Sequence, residues 1–265
     1  MLEWIAYILL GLFAGFVAGL FGVGGGLIIV PVLAFIFTAH QFSEQYVMHL
    51  ALGTALASII FTSISSVRAH HAHGAVDWKI WCSISPGVVL GTLLGTVLVA
   101  YLSAYFLKIF FVLFVSYVAT QMLLDIKPKA ARELPQWPGM FAVGNGIGAA
   151  SSFVGIGGGT LSIPFMLWCN ITLHRAIGTS SAIGLPIAVA GTLGYIANGW
   201  FVRSELPAHS FGFIYLPALA AIVAASVLTA PLGAKLAHRL PVKKLKRIFA
   251  FFLYILAIRM AVSLF

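Results

Sequence analysis

Two glycine clusters offer the clearest chemistry in this chain. Gly22-Val23-Gly24-Gly25-Gly26 and Gly155-Ile156-Gly157-Gly158-Gly159 each interrupt a long apolar stretch. A helix that restarts after each cluster, at Leu27 or Thr160, presents unpaired N–H groups and the positive end of its dipole, which together favour an anion. Glycine also lets the chain turn sharply and lets a ligand approach the backbone. The spacing therefore predicts Gly24, Gly25, Gly26, Gly157, Gly158 and Gly159 as binding residues for a small anionic substrate. A second candidate is the pair Gly53-Thr54 and Gly178-Thr179-Ser180-Ser181, where Thr54, Thr179 and Ser180 can donate to an oxyanion without supplying a full charge. The plainer alternatives are helix packing by small residues and hydroxyls bonded to their own i−4 carbonyls. Gly11, Gly15 and Gly19 fit the packing role.

Other chemistry is hard to place. No carboxylate lies deep in an apolar stretch, and the glycine clusters lack both the preceding strand and the lysine that nucleotide-binding loops need. His70-His71-Ala72-His73 has no metal-ligand completion beyond Asp77 and reads as a solvated turn, while Cys82 and Cys169 form no CxxC pair. Asn145 and Asn198 suit interhelical hydrogen bonds, and Arg259 sits close enough to the C-terminus to snorkel. We expect no catalytic residues, no metal, no cofactor and no enzymatic activity.

Those groups must be positioned by membrane helices. The chain has 265 residues, 61% apolar before its 27 glycines are counted and only 8% charged, against roughly 25% charged in soluble domains. A cytosolic globular enzyme and a disordered chain are excluded. The net charge of +9 does not point to nucleic acid, because the basic residues lie between apolar runs. Those runs cover 4–38, 46–67, 80–104, 106–126, 137–169, 176–202, 210–236 and 245–264. The N-terminus lacks the basic region of a signal peptide, so the first run should be retained.

The chain also repeats. GVGGGLIIVP at 22–31 aligns with GIGGGTLSIP at 155–164, Gly11 and Gly15 align with Gly144 and Gly148, Gly53-Thr54 with Gly178-Thr179, and Ser85-Pro86 with Leu216-Pro217. The implied halves are 1–126 and 136–265, joined by a cytoplasmic linker at 127–135. The positive-inside rule sets the topology. If each glycine-broken segment crossed once, loop cations would divide 6 to 8; if each crosses an even number of times, they divide 12 to 2, with Lys108 and Arg203 outside and Arg259 within a helix. Even crossing leaves each half with an odd number of spans, so the halves insert in opposite directions. The expected fold is an all-α polytopic membrane protein of two inverted repeats, each a glycine-broken hairpin or re-entrant segment plus three transmembrane helices. Inverted repeats of this kind place substrate at broken helices near the midplane. The cluster from Lys235 to Arg247 is a topology determinant and a contact for anionic lipid.

The paired GxGGG…P motifs at 22–31 and 155–164, each followed by Gly-Thr at 53–54 and 178–179, resemble the TauE/SafE sulfite exporter family, also called the toluene sulfonate uptake permease family. His73-Gly74-Ala75-Val76-Asp77-Trp78 resembles that family's G-x-[IV]-D-[WY] loop. The resemblance spans nearly the whole chain. It implies secondary transport of sulfite, sulfonates or related small anions in the inner membrane. One departure is about eight extra residues between Pro31 and Gly53, which place His40 to His49 at an external entrance.

These readings lead to a secondary transporter for a small sulfur-containing anion working by alternating access, coupled to protons or sodium, with both termini outside the cytoplasm. A homo-oligomer stays open at this point. The alternatives are a passive anion channel and a membrane-embedded enzyme or assembly factor.

Overall fold

Inside a bilayer the backbone can satisfy its polar groups only with itself, so long apolar runs become helices. The computed structural model describes residues 2–124, 132–237 and 242–264, and these are almost entirely helical. The first five helices are α1 (Leu2–Phe21), α2 (Gly26–Ala39), α3 (Val47–Ala72), α4 (Trp78–Ala100) and α5 (Ala104–Leu123). The next five are α6 (Trp137–Val154), α7 (Gly159–Trp168), α8 (Leu173–Trp200), α9 (Leu216–Ala237) and α10 (Val242–Val262). Six of them, α1, α3, α4, α5, α8 and α9, are long and apolar enough to cross a membrane, while α2 and α7 are shorter apolar helices. Most of the linker at 127–135 and part of the basic cluster fall outside the described residues.

Large apolar side chains such as Leu94, Leu98, Leu113, Leu228 and Ile255 face outward, while Leu50, Leu52, Leu56 and Ile59 of α3 are fully buried. Contiguous exposed apolar surface on this scale fits lipid contact.

Each glycine cluster is the tip of a hairpin. Glu3 at the head of α1 pairs with His40 just past α2, Oε1 to Nε2 at 2.6 Å. Arg132, ahead of α6, donates its N–H to the carbonyl of Trp168 at the end of α7 at 3.3 Å. Each hairpin thus enters and leaves the bundle at one end. The central helices α3 and α8 run antiparallel. His49 in the first turn of α3 packs against Phe213, beyond the end of α8. Asp77, beyond the end of α3, pairs with Arg175 in the first turn of α8.

The flanking helices cross over: α1 lies along α9, and α4 along α6. Small residues permit this closeness. A Cβ on Gly15 would overlap the carbonyl of Ser226, and one on Gly148 that of Val88. Asn198 donates to the Thr96 carbonyl at 2.9 Å, an interhelical bond of the expected kind.

Three local expectations change. His70 is not in a solvated turn: it is fully buried near the end of α3, its Nε2 3.0 Å from the Gly19 carbonyl. Ser85-Pro86 does not match Leu216-Pro217, since Pro86 lies in the middle of α4 and Pro217 in the first turn of α9. The extra residues after Pro31 do not all form an entrance. Part of them lengthens α2, which is 14 residues against 10 in α7, and His49 is buried in α3. A two-stranded antiparallel ladder, β1 (Ser210–Phe211) with β2 (Ile214–Tyr215), also precedes α9.

Candidate functional site

The two glycine loops meet. Gly22, Gly24 and Gly25 in the first, and Gly155 and Gly158 in the second, adopt positive φ between 67° and 83°, a region open to glycine at little energetic penalty. These turns reverse the chain between α1 and α2 and between α6 and α7. The contact is reciprocal. A Cβ on Gly26 would overlap the Gly155 carbonyl, a Cβ on Gly159 would overlap the Gly22 carbonyl, and Gly157 donates its N–H to the Val23 carbonyl at 3.2 Å. The starts of α2 and α7 therefore converge on one junction. Among the described residues, the N–H groups of Gly25, Gly26 and Leu27, and of Gly158, Gly159 and Thr160, make no hydrogen bond. Two helix N-termini supply partial positive charge there without a basic side chain.

A small cavity adjoins the junction, lined by Gly22, Gly24, Gly157 and Gly184 and by the hydroxyl-bearing Thr62, Ser63, Ser66 and Ser181. Its volume is about 10 Å³, room for about one water molecule. An oxyanion therefore needs the loops or central helices to move apart. Most of these hydroxyls bond within the protein: Thr62 Oγ1 lies 3.1 Å from Ser226 Oγ, and Ser66 donates to Ser181 at 3.4 Å. Ser63 is almost wholly buried, and among the described residues its hydroxyl makes no hydrogen bond. The hydroxyls of Ser151, Thr160 and Ser162, in the second hairpin, are buried and also lack a partner among the described residues. The corresponding positions of the first hairpin hold Ala18, Leu27 and Ile29. Beside α7 a larger cavity of about 70 Å³ reaches Gly159 and Thr160 past Val118 and Met122, with Lys246 also in its wall.

Thr54 and Thr179 hold main chain. The Thr54 hydroxyl accepts the N–H of Tyr215 at 2.9 Å, and the Thr179 hydroxyl accepts that of Asp77 at 2.8 Å. The glycine before each threonine makes room for the same segment: a Cβ on Gly53 would overlap the Phe213 carbonyl, and one on Gly178 would press on Ala75. Two short lids, 212–215 and 74–77, thereby clamp onto α3 and α8 at opposite ends of the bundle. Asp77 also caps α4 by accepting the N–H groups of Lys79 and Ile80. Ser180 donates to the Gly22 carbonyl at 2.9 Å and anchors the first glycine loop to α8.

The structure thus brings the six predicted glycines and Ser180 together, and sets Thr54 and Thr179 under the lids. The cavity hydroxyls of Thr62, Ser63 and Ser66 escaped the sequence reading, because a serine on a buried helix face carries no local mark of what it faces. A repeated histidine motif escaped it too. His49-x3-Gly53-Thr54 is repeated as His174-x3-Gly178-Thr179, a signal visible once the halves are aligned on Gly-Thr.

The sequence is similar to those of known membrane proteins. The chain is 38% identical over 254 residues to a probable membrane transporter protein of Haemophilus influenzae, covering 96% of both chains. It is 26% identical over 239 residues to one of Bacillus subtilis, covering 80% of this chain and 86% of that one. A third, from Methanocaldococcus jannaschii, is 25% identical over 246 residues, covering 90% and 88%. No solved structure matches at a significant level. These relatives align over 80–96% of this chain, and the family model for the sulfite exporter TauE/SafE matches residues 7–260. The chain is a membrane transporter that belongs to the TauE/SafE sulfite exporter family.

Proposed function

We propose that this transporter moves a small sulfur-containing oxyanion or sulfonate across the inner membrane by alternating access. In this reading residues 1–126 and 136–265 are repeats inserted in opposite directions, with both termini outside the cytoplasm. The carrying observation is the convergence of the α2 and α7 N-termini on one junction with unpaired N–H groups. The anion is held by the main chain of Gly24, Gly25, Gly26, Gly157, Gly158 and Gly159, with Ser180 holding one loop in place and Ser63 as a side-chain donor. Thr54 and Thr179 serve as latches for the lids. Backbone dipoles suit a transported anion, because a fixed lysine in the bilayer is expensive and binds too persistently. The cavity at the junction has room for about one water molecule, which supports an occluded carrier over an open channel.

The test is uptake by the purified protein in proteoliposomes, with sulfite, thiosulfate, sulfate, taurine, sulfoacetate and simple carboxylates compared. Saturable uptake of one or more sulfur anions, lost in Gly25→Leu and Gly158→Leu variants that still insert, is the expected result. Full transport by those variants would sink the site assignment, and uptake of carboxylates alone would sink the substrate class. Labelling of cysteines placed at 235–247 from outside the cell would defeat the inverted topology.

A further inference from the structure

We propose that His49 is a proton-binding site that couples opening of the 212–215 lid to the proton gradient, making the proton the coupling ion. The proposal rests on the transporter reading above and goes beyond it by choosing among coupling ions.

His49 is 97% buried (3% exposed) in the first turn of α3. Its Nε2 lies 3.1 Å from the Val99 carbonyl, an acceptor, so Nε2 carries the hydrogen and Nδ1 keeps a lone pair. Nδ1 is buried and has no partner among the described residues. A buried acceptor without a donor is costly, and a proton is the smallest species that can fill it. Besides the main chain of Gln45 and Leu102, few groups face the ring. Tyr46 stands 6.2 Å away between centroids, with Glu205 accepting the Tyr46 hydroxyl behind it. From the lid comes the Phe213 ring at 5.1 Å, backed by Tyr195 of α8, and from α4 the Val99 carbonyl. Among the described residues no ion pair joins the ring to a charged side chain.

The lid fastens to α3 beside this histidine. Phe213 packs against His49 with its ring tilted by 33°, its carbonyl sits over Gly53, and the Tyr215 N–H reaches Thr54. Protonation at Nδ1 turns an orphan acceptor into a buried cation under the closed segment 212–215, faced by the main chain of Gln45, Val99 and Leu102 and by no carboxylate in direct contact. Its charge is relieved when the lid lifts and water enters. Among the described residues the spans that could carry protons hold no Asp or Glu in their interiors, so histidine is the group able to exchange a proton near neutral pH. The second half has the same motif with His174 in the first turn of α8, where it is exposed.

The experiment uses the full chain in proteoliposomes at zero membrane potential, with sulfoacetate and thiosulfate as probes. Both are fully ionised near neutral pH and carry no protons by themselves. With one proton carried per anion, a pH step of one unit drives about tenfold accumulation. We expect that accumulation in the wild type and its loss in His49→Gln, with sulfoacetate exchange at equal pH retained by the variant. An anion gradient alone should acidify or alkalinise entrapped pyranine in the wild type and not in His49→Gln. Accumulation driven by sodium rather than by pH, or a pH-driven tenfold gradient surviving in His49→Gln, overturns the proposal. If His49→Gln fails to insert, His49→Asn takes its place, and a silent wild-type pyranine trace overturns the proposal without any variant. A wild type that moves neither probe under any gradient instead refutes the transporter reading for sulfur anions, and the coupling site with it.

Discussion

The N–H of Asp77 donates to the hydroxyl of Thr179 at 2.8 Å, tying the start of α4 to α8 across the two halves of the chain. Thr179 itself is fully buried. Replacing Thr179 with valine keeps shape and removes the acceptor. The expected loss is about 1–3 kcal/mol, the usual penalty for an orphaned buried donor, read as a lower midpoint of thermal unfolding in detergent. Thr54→Val should behave alike through Tyr215. An unchanged midpoint in both would remove the latch role.

Asp77 does two jobs that substitution can separate. Its carboxylate caps α4 through Oδ1 and meets Arg175 Nη2 through Oδ2 at 2.7 Å. Asparagine keeps a capping oxygen and gives up the ion pair, whereas alanine gives up both. Asp77→Ala should therefore destabilise by about 1 kcal/mol more than Asp77→Asn, because an exposed ion pair contributes little by itself. Equal unfolding midpoints would contradict the capping role.

Close approach at the glycine junction predicts a sharp positional dependence. Gly26→Val and Gly159→Val must push Gly155 and Gly22 away and should abolish transport. Gly146, in α6, has open space where a Cβ would stand, so Gly146→Ala should transport normally and gain up to about 1 kcal/mol from helix propensity. A set in which all three behave the same would argue against the junction as the working part.

The hairpin mouth at the other end is pH-sensitive. Hydrogen bonding to Glu3, and to the Ile36 carbonyl, raises the pKa of His40 above its ordinary 6.5. Because the folded value is the higher one, the stabilisation is fully present below pH 6.5 and disappears as pH rises through the raised value. The midpoint difference between wild type and His40→Gln should shrink across that window. Glu3→Gln should remove the trend, and a difference that grows with pH would reverse the assignment.

Much of the fold was legible beforehand. Apolar runs with glycine interruptions placed ten helices to within a few residues in most cases, because hydropathy and length act locally. The exception at 210–215 is instructive: an apolar run there became a short ladder and a lid, since Gly212 turns the chain with φ 56° and a helix requires the opposite sign. His70 shows the same limit, reading as a polar turn until α1 lies against it and offers the Gly19 carbonyl.

By itself the sequence determined the membrane setting and the two glycine interruptions, since each follows from residue type and spacing along one stretch of chain. Only the tertiary structure decided which hydroxyls face a cavity and which hold a lid. Thr54 and Ser63 lie on the same helix and are both buried, yet one is saturated by Tyr215 and the other opens toward Gly157 and Gly184. What a buried hydroxyl does depends on the element packed opposite it. For these two hydroxyls that element comes from roughly a hundred residues away or more.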